Sequence, residues 1–158
     1  MSETDQGSPA YLAGLLLSGR KVVVVGGGRV AVRRIPRLVR AGARVDVIAP
    51  ELDPRLADLM VAAAITWRAW DYAPSDLDEA WYVLAATDSP EVNAAVAADA
   101  EARRIFCVRA DLASAGSAWT PATGDVAGAT VAAITGRDPH RARRMRDRLV
   151  QVVRDEDL

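Results

Sequence analysis

Residues 22–31 read VVVVGGGRVA: four valines, three glycines, then the first residues of a helical stretch. An unbroken β-branched run suits a strand buried on both faces, and so predicts a parallel sheet covered by helices on each side. Gly26, Gly28 and Ala31 fall on the GxGxxG/A spacing, between that strand and a helix predicted over 30–41, the context that gives the motif weight. In this pattern the first glycine permits a tight turn. The second lets the backbone approach a pyrophosphate, and the small third residue lets helix pack closely on strand. The first amides of the helix then offer N–H donors and a partial positive charge to phosphate oxygens. The loop Gly26, Gly27, Gly28, Arg29 and Val30 therefore reads as a dinucleotide cradle, against the plainer reading of an ordinary strand–turn–helix.

The rest of the first two-thirds repeats the alternation. Strands are predicted over 21–25, 44–48, 65–67, 81–85 and 105–108. Pro36 inside the first helix predicts a kink or a short first turn, because proline removes one backbone donor. Asp53-Pro54 opens a second helix as N-cap and first helical residue. Residues 71–78 form a loop, and Ser89-Pro90-Glu91 opens a helix running to Arg104. Strand and helix in this rhythm imply parallel strands with right-handed crossovers, hence a Rossmann-type, doubly wound α/β sheet.

The pattern changes after Asp111. Strands are expected at 117–120 and 129–134 with a turn around Gly124-Asp125, followed by a helix capped by Asp138-Pro139. That helix carries Ala142, Met145, Leu149 and Val152 on one face and Arg141, Arg143, Arg144, Arg146 and Arg148 on the other. The expected organisation is a flexible N-terminus over 1–9, a dinucleotide-binding domain over 10–111, and a small β-hairpin plus helix over 112–158. A hairpin and one helix lack a core of their own, so they must pack on the first domain or on a second copy of the chain.

With 158 residues the chain fits one domain and a small appendage. Its 20 basic and 21 acidic residues nearly cancel, which gives no reason to expect nucleic acid or a membrane surface as partner. Lys21 is the only lysine and Cys107 the only cysteine, so an intrachain disulfide is excluded. A single cysteine suits a reducing compartment, the apolar run 11–17 is too short to span a bilayer, and a cytoplasmic location is expected.

Few residues can do chemistry. Glu51, just past the second strand, either accepts from an adenosine ribose or is a solvated helix-start charge. No arginine follows that strand before Arg55, which favours NAD over NADP. Thr87, past the fourth strand, should lie beside the nicotinamide half, unless it and Asp88 only cap the next helix. Asp111 comes off the fifth strand on the same sheet edge, as an acid–base group or as a turn cap. Lys21 begins a strand, which excludes the Tyr–Lys mechanism of short-chain dehydrogenases, and one Cys with one His, His140, excludes a zinc site.

The stretches VVVVGGGRVAVRR, AGARVDVIAPEL, WYVLAATDSPEVNAAV and RRIFCVRAD, in this order, resemble the precorrin-2 dehydrogenase/sirohydrochlorin ferrochelatase family, the N-terminal module of sirohaem synthases. The resemblance runs from about Tyr11 to about Val153. It implies NAD-dependent oxidation of precorrin-2 to sirohydrochlorin, with insertion of Fe2+ as a second activity of some members. It implies a homodimer joined through the segment after Asp111, and a uroporphyrinogen methyltransferase as a partner. By the same resemblance Asp111 is the general base, Gly26, Gly28, Arg29 and Val30 hold the cofactor, Pro50 and Glu51 line the ribose, and Thr87 meets the nicotinamide. The substrate's eight carboxylate arms call for arginines; Arg109, Thr135, His140 and Arg141 are the candidates, with Arg33 and Arg34 behind them. The family's Ser-Gly-Gly loop before the last helix is here Thr135-Gly136-Arg137-Asp138-Pro139. The alternatives are a non-catalytic NAD-sensing domain, a chelatase-only member of the family, and a hydroxy-acid dehydrogenase.

Overall fold

A computed structural model describes residues 8–136 and 138–156. The expected N-terminal tail falls largely outside them, as does Arg137. Two compact units result: Gly14–Trp119, and the segment from Thr120 onward grouped with the residues up to Ala13.

The larger unit is the doubly wound sheet. Strands β1 (Lys21–Val25), β2 (Arg44–Ile48), β3 (Ile65–Arg68), β4 (Tyr82–Ala85) and β5 (Phe106–Arg109) are all parallel, in the order β3-β2-β1-β4-β5. The crossover from β3 to β4 passes over β1 and β2, so strand order reverses between β1 and β4. The connections leaving the ends of β1 and β4 go to opposite faces of the sheet, the place where open α/β sheets take their ligands.

Alternation along the valine run explains why it must be apolar throughout. Val22 and Val24 enter one core with Ala31 and Ile35 of α1 (Arg29–Arg40); Val23 and Val25 enter the opposite core with Val96 and Ala100 of α3 (Pro90–Ala102). Helix α1 runs through Pro36 without a break, contrary to the interruption expected there. Burial of Ala31 and Ile35 against the sheet outweighs the one backbone hydrogen bond that proline removes. Helix α2 (Ala57–Val61) is short and follows a 3₁₀ turn opened by Asp53, whose carboxylate accepts from the Arg55 N–H.

The smaller unit departs from expectation in its register. Its strands are β6 (Ala122–Val126) and β7 (Ala129–Ala133), antiparallel, joined at Ala127-Gly128 with both residues at positive φ. Residues 117–120 are not the first strand. Residues 117–119 stay on the larger unit, where the Cys107 N–H donates to Ser117 Oγ and the Ala118 N–H donates to the Cys107 carbonyl. Gly124 is a mid-strand residue rather than the turn. A Cβ there would lie 2.7 Å from Val150 and 2.8 Å from Arg146 of α4 (Pro139–Asp155), so the glycine marks where the helix presses on the hairpin. Ala142 is buried, but Met145 and Leu149 are exposed. The hairpin instead receives Arg146, whose guanidinium donates to the Thr123 carbonyl. Among the described residues no helix is long and apolar enough to cross a membrane.

Candidate active site

The site is built on the carboxyl ends of β1, β4 and β5, and its three glycines have three different reasons to be glycine. Gly26 has φ +112°, and a Cβ on it would lie 2.4 Å from the Ala86 carbonyl at the end of β4. Gly27 is pressed from the other side: a Cβ would lie 2.3 Å from the Glu51 carbonyl, and the Gly27 carbonyl itself accepts from the Asp53 N–H. Gly28 has neither constraint. Its φ of −91° suits any residue, and a Cβ there meets nothing within 4 Å. Nothing in the protein's own packing requires glycine at this position. What it leaves is open space at the start of α1, where no side chain caps the helix and no acidic residue lies in the first turn. Free amides beside a cleared backbone fit a pyrophosphate.

Beyond β2, Pro50 and Glu51 are exposed. The preceding Ala49 carbonyl accepts from Trp67 Nε1 at 2.9 Å, which pins this loop against β3. Arg55 is forked onto Asp53 at 2.9 and 2.7 Å, holding the Asp53 carboxyl down at about 2. The first arginine after β2 is thus paired within its own turn rather than presented as a phosphate clamp.

Thr87, two residues past β4, sits in a closed arrangement. Its N–H and its hydroxyl both donate to Asn93 Oδ1, at 3.0 and 2.8 Å, and Asn93 Nδ2 donates to the Thr87 carbonyl at 3.0 Å. The cap of α3 is Ser89, whose Oγ accepts from the Val92 N–H, and not Asp88.

Asp111 follows β5, beside β4: the Ala110 N–H donates to the Ala85 carbonyl. Arg109 Nε and Nη2 donate to its two carboxylate oxygens at 3.1 and 2.6 Å. The guanidinium beside it, more than any other group, holds the Asp111 carboxyl below the usual carboxylate range. The Asp111 side chain is 25% exposed and the Arg109 side chain only 9%. Arg109, a candidate for substrate carboxylates in the sequence, is buried and braces Asp111.

The other substrate candidates belong to the smaller unit. Thr135 Oγ1 donates to the Asp138 carbonyl, while His140 and Arg141 are exposed in the first turn of α4, with the Arg141 N–H donating to the Asp138 carboxylate. Sequence reasoning missed Asn93 and the pairing of Arg109 with Asp111. The signal for Asn93 was present: with Val96 and Ala100 it occupies i, i+3 and i+7 of the buried face, a place for an apolar residue.

The sequence profile of the putative NAD(P)-binding family matches residues 14–122, most of the chain and the whole of the larger unit. The chain belongs to this family. It is 42% identical over 134 residues to siroheme synthase 3 of Aeromonas hydrophila, a match covering 84% of this chain and 29% of that one. It is 43% identical over 140 residues to the siroheme synthase of Chromobacterium violaceum, covering 88% and 30%. The chain thus spans under a third of the length of these relatives. A solved structure described as "SirC, precorrin-2 dehydrogenase" superimposes with a TM-score of 0.76 at 26% identity, covering 90% of this chain and 70% of that one.

Proposed function

We propose that this chain catalyses the NAD-dependent oxidation of precorrin-2 to sirohydrochlorin, a step toward sirohaem. The observation that carries the proposal is the meeting, on three adjacent strand ends, of a cleared glycine turn, a fixed Thr87 loop and an ionised, partly exposed carboxylate. The similarity to siroheme synthases and to a precorrin-2 dehydrogenase supports the choice of substrate.

Gly26, Gly27, Gly28, Arg29 and Val30 hold the pyrophosphate, Pro50 and Glu51 take the adenosine ribose, and Thr87 borders the nicotinamide. When bound, the nicotinamide supplies hydride acceptance. Asp111 accepts the proton that the macrocycle loses as its conjugation extends. Asp111 is ionised at neutral pH with or without Arg109; the fork orients the carboxylate and, by lowering its pKa, makes it a weaker base that hands an accepted proton on to water. The protein's contribution is then orientation, a fixed electrostatic environment and one proton acceptor.

The hairpin–helix unit is assigned to self-association. Among its described residues only Val126, Ala133 and Ala142 are buried, too few for a core, while Met145 and Leu149 of α4 stay exposed. A uroporphyrinogen methyltransferase is the partner whose product this reaction consumes, and a reducing, cytoplasmic setting suits a chain with one buried thiol.

The deciding experiment incubates the chain with precorrin-2 and NAD and follows NADH together with sirohydrochlorin absorbance. Asp111→Asn keeps the shape and removes the basicity. It is expected to fold, bind NAD and lose roughly a hundredfold or more in turnover. An Asn variant with parental turnover would remove Asp111 from the mechanism.

A further inference from the structure

The loop leaving β2 lies against the glycine turn. The Gly26 N–H donates to the Ile48 carbonyl, the Glu51 carbonyl and Leu52 Cα crowd Gly27, and the Asp53 N–H donates to the Gly27 carbonyl at 2.8 Å. Leu56, buried in the same core as Ala31 and Ile35, anchors the far end of the loop. Residues 49–56 carry two acids, Glu51 and Asp53, and one cation, Arg55. Arg55 is turned back on the chain. Its Nε and Nη2 fork onto the two Asp53 oxygens at 2.9 and 2.7 Å, and its own N–H donates to Asp53 Oδ1 at 3.0 Å. The Asp53 side chain is 18% exposed and the Arg55 side chain 62%, so the acid is the fixed member of the pair and the arginine folds onto it. Between the end of β2 and the start of β4 the chain has one other cation, Arg68. It too is held by an acid, with Nε and Nη2 each 3.4 Å from Asp46 Oδ2, and its guanidinium lies over the Trp70 ring.

NAD and NADP differ only in a phosphate on the 2′ oxygen of the adenosine ribose. That group brings roughly two negative charges at neutral pH, and an arginine commonly accommodates it. We propose that Asp53 is a specificity-determining residue: by holding Arg55 within its own turn it leaves the loop after β2 net negative toward the ribose, so the site takes NAD and turns away NADP. This rests on the reading of Pro50 and Glu51 as the ribose loop. Capping alone does not explain an aspartate here. A cap needs one acceptor for the Arg55 N–H, and asparagine or serine supplies it as well. The carboxylate does two further things. It takes up the Nε–Nη2 edge of the guanidinium, whose parallel N–H donors suit a phosphate, and it cancels the charge that would draw a phosphate in. Glu51, exposed beside the pair, is then the unbalanced charge of the loop.

Calorimetry with NAD and with NADP on the full chain tests the proposal without turnover. The parent should bind NAD more tightly than NADP. Asp53→Asn and Asp53→Ser keep a capping acceptor and the backbone bond to Gly27, and they release Arg55. Each should tighten NADP by roughly threefold to tenfold, the scale of one exposed charge contact, and leave the Kd for NAD within about twofold. Adding Arg55→Ala to Asp53→Asn should cancel the gain, because the released guanidinium is what meets the phosphate. The gain should also shrink as salt is raised. A purely structural Asp53 would lower the melting temperature and move both Kd values together, leaving their ratio unchanged. Folded variants with the parental ratio overturn the proposal, and so does a double variant that keeps the gain, a parent that binds both dinucleotides equally, or failure of both single variants to fold. A parent that binds neither dinucleotide sinks the cofactor reading and the proposal with it. A parent that binds NAD, with variants that gain nothing for NADP, sinks the proposal alone.

Discussion

The Arg109 guanidinium forks onto both oxygens of Asp111, two residues further along the chain, with the shorter contact at 2.6 Å. The pairing depresses the Asp111 pKa below its ordinary 3.8, mainly through these hydrogen bonds. A depressed folded-state pKa contributes stability that is present above the unfolded value and is lost as pH falls through the folded one. Arg109→Gln should return Asp111 toward its ordinary value. The acid limb of turnover then moves up in pH. The difference in melting temperature between variant and parent should be largest at neutral pH and shrink as pH drops below 3.8. Melting curves across pH 2 to 7, taken as a rough working range, check this.

The glycine turn gives an internal contrast. Gly27→Ala drives a Cβ to 2.3 Å from the Glu51 carbonyl and should cost about 1–3 kcal/mol of stability, as overpacking does. Gly28→Ala meets open space and should change stability by less than about 0.5 kcal/mol. For NAD the order reverses in kind: Gly28→Asp should keep the fold and weaken binding at least tenfold by calorimetry, through bulk and like charge. A Gly28→Asp variant with parental affinity would move the pyrophosphate elsewhere.

Gly124 tests the smaller unit. A side chain there collides with Val150 and with the Arg146 stem. Gly124→Val should lower stability by about 1–3 kcal/mol. Gly124→Ala should cost less, since the Arg146 stem can swing aside. If this unit joins two copies, sedimentation should show the dimer fraction falling in the same order, Val below Ala below parent.

Cys107 is predicted to be inert. Burial pushes its thiol up to about 11. About a thousandth of such thiols are ionised at pH 8, against roughly a quarter for a free cysteine. Alkylation by iodoacetamide at pH 8 should therefore be slow in the folded chain and fast in urea. Equal rates would contradict the burial of β5.

The strands, the helix starts and the glycine turn were legible in the sequence because their causes are local. Val22–Val25 must be apolar on both faces whatever surrounds it, Ser89-Pro90 and Asp53-Pro54 carry their own capping chemistry, and the spacing of Gly26, Gly28 and Ala31 is a property of one turn. What tertiary structure alone decided were relations between segments far apart in the chain. Gly124 looks like a turn residue until α4 is seen pressing on it. Residues 117–118 look like a strand of the hairpin until β5 is seen claiming them. Arg109 looks free until the chain beyond β5 folds Asp111 back onto it. Asn93 acquires meaning only when the sheet sets α3 beside the end of β4. Propensity and capping act over a few residues and can be read one window at a time. Close approach, burial and charge pairing depend on which distant groups arrive, and only the folded chain specifies that.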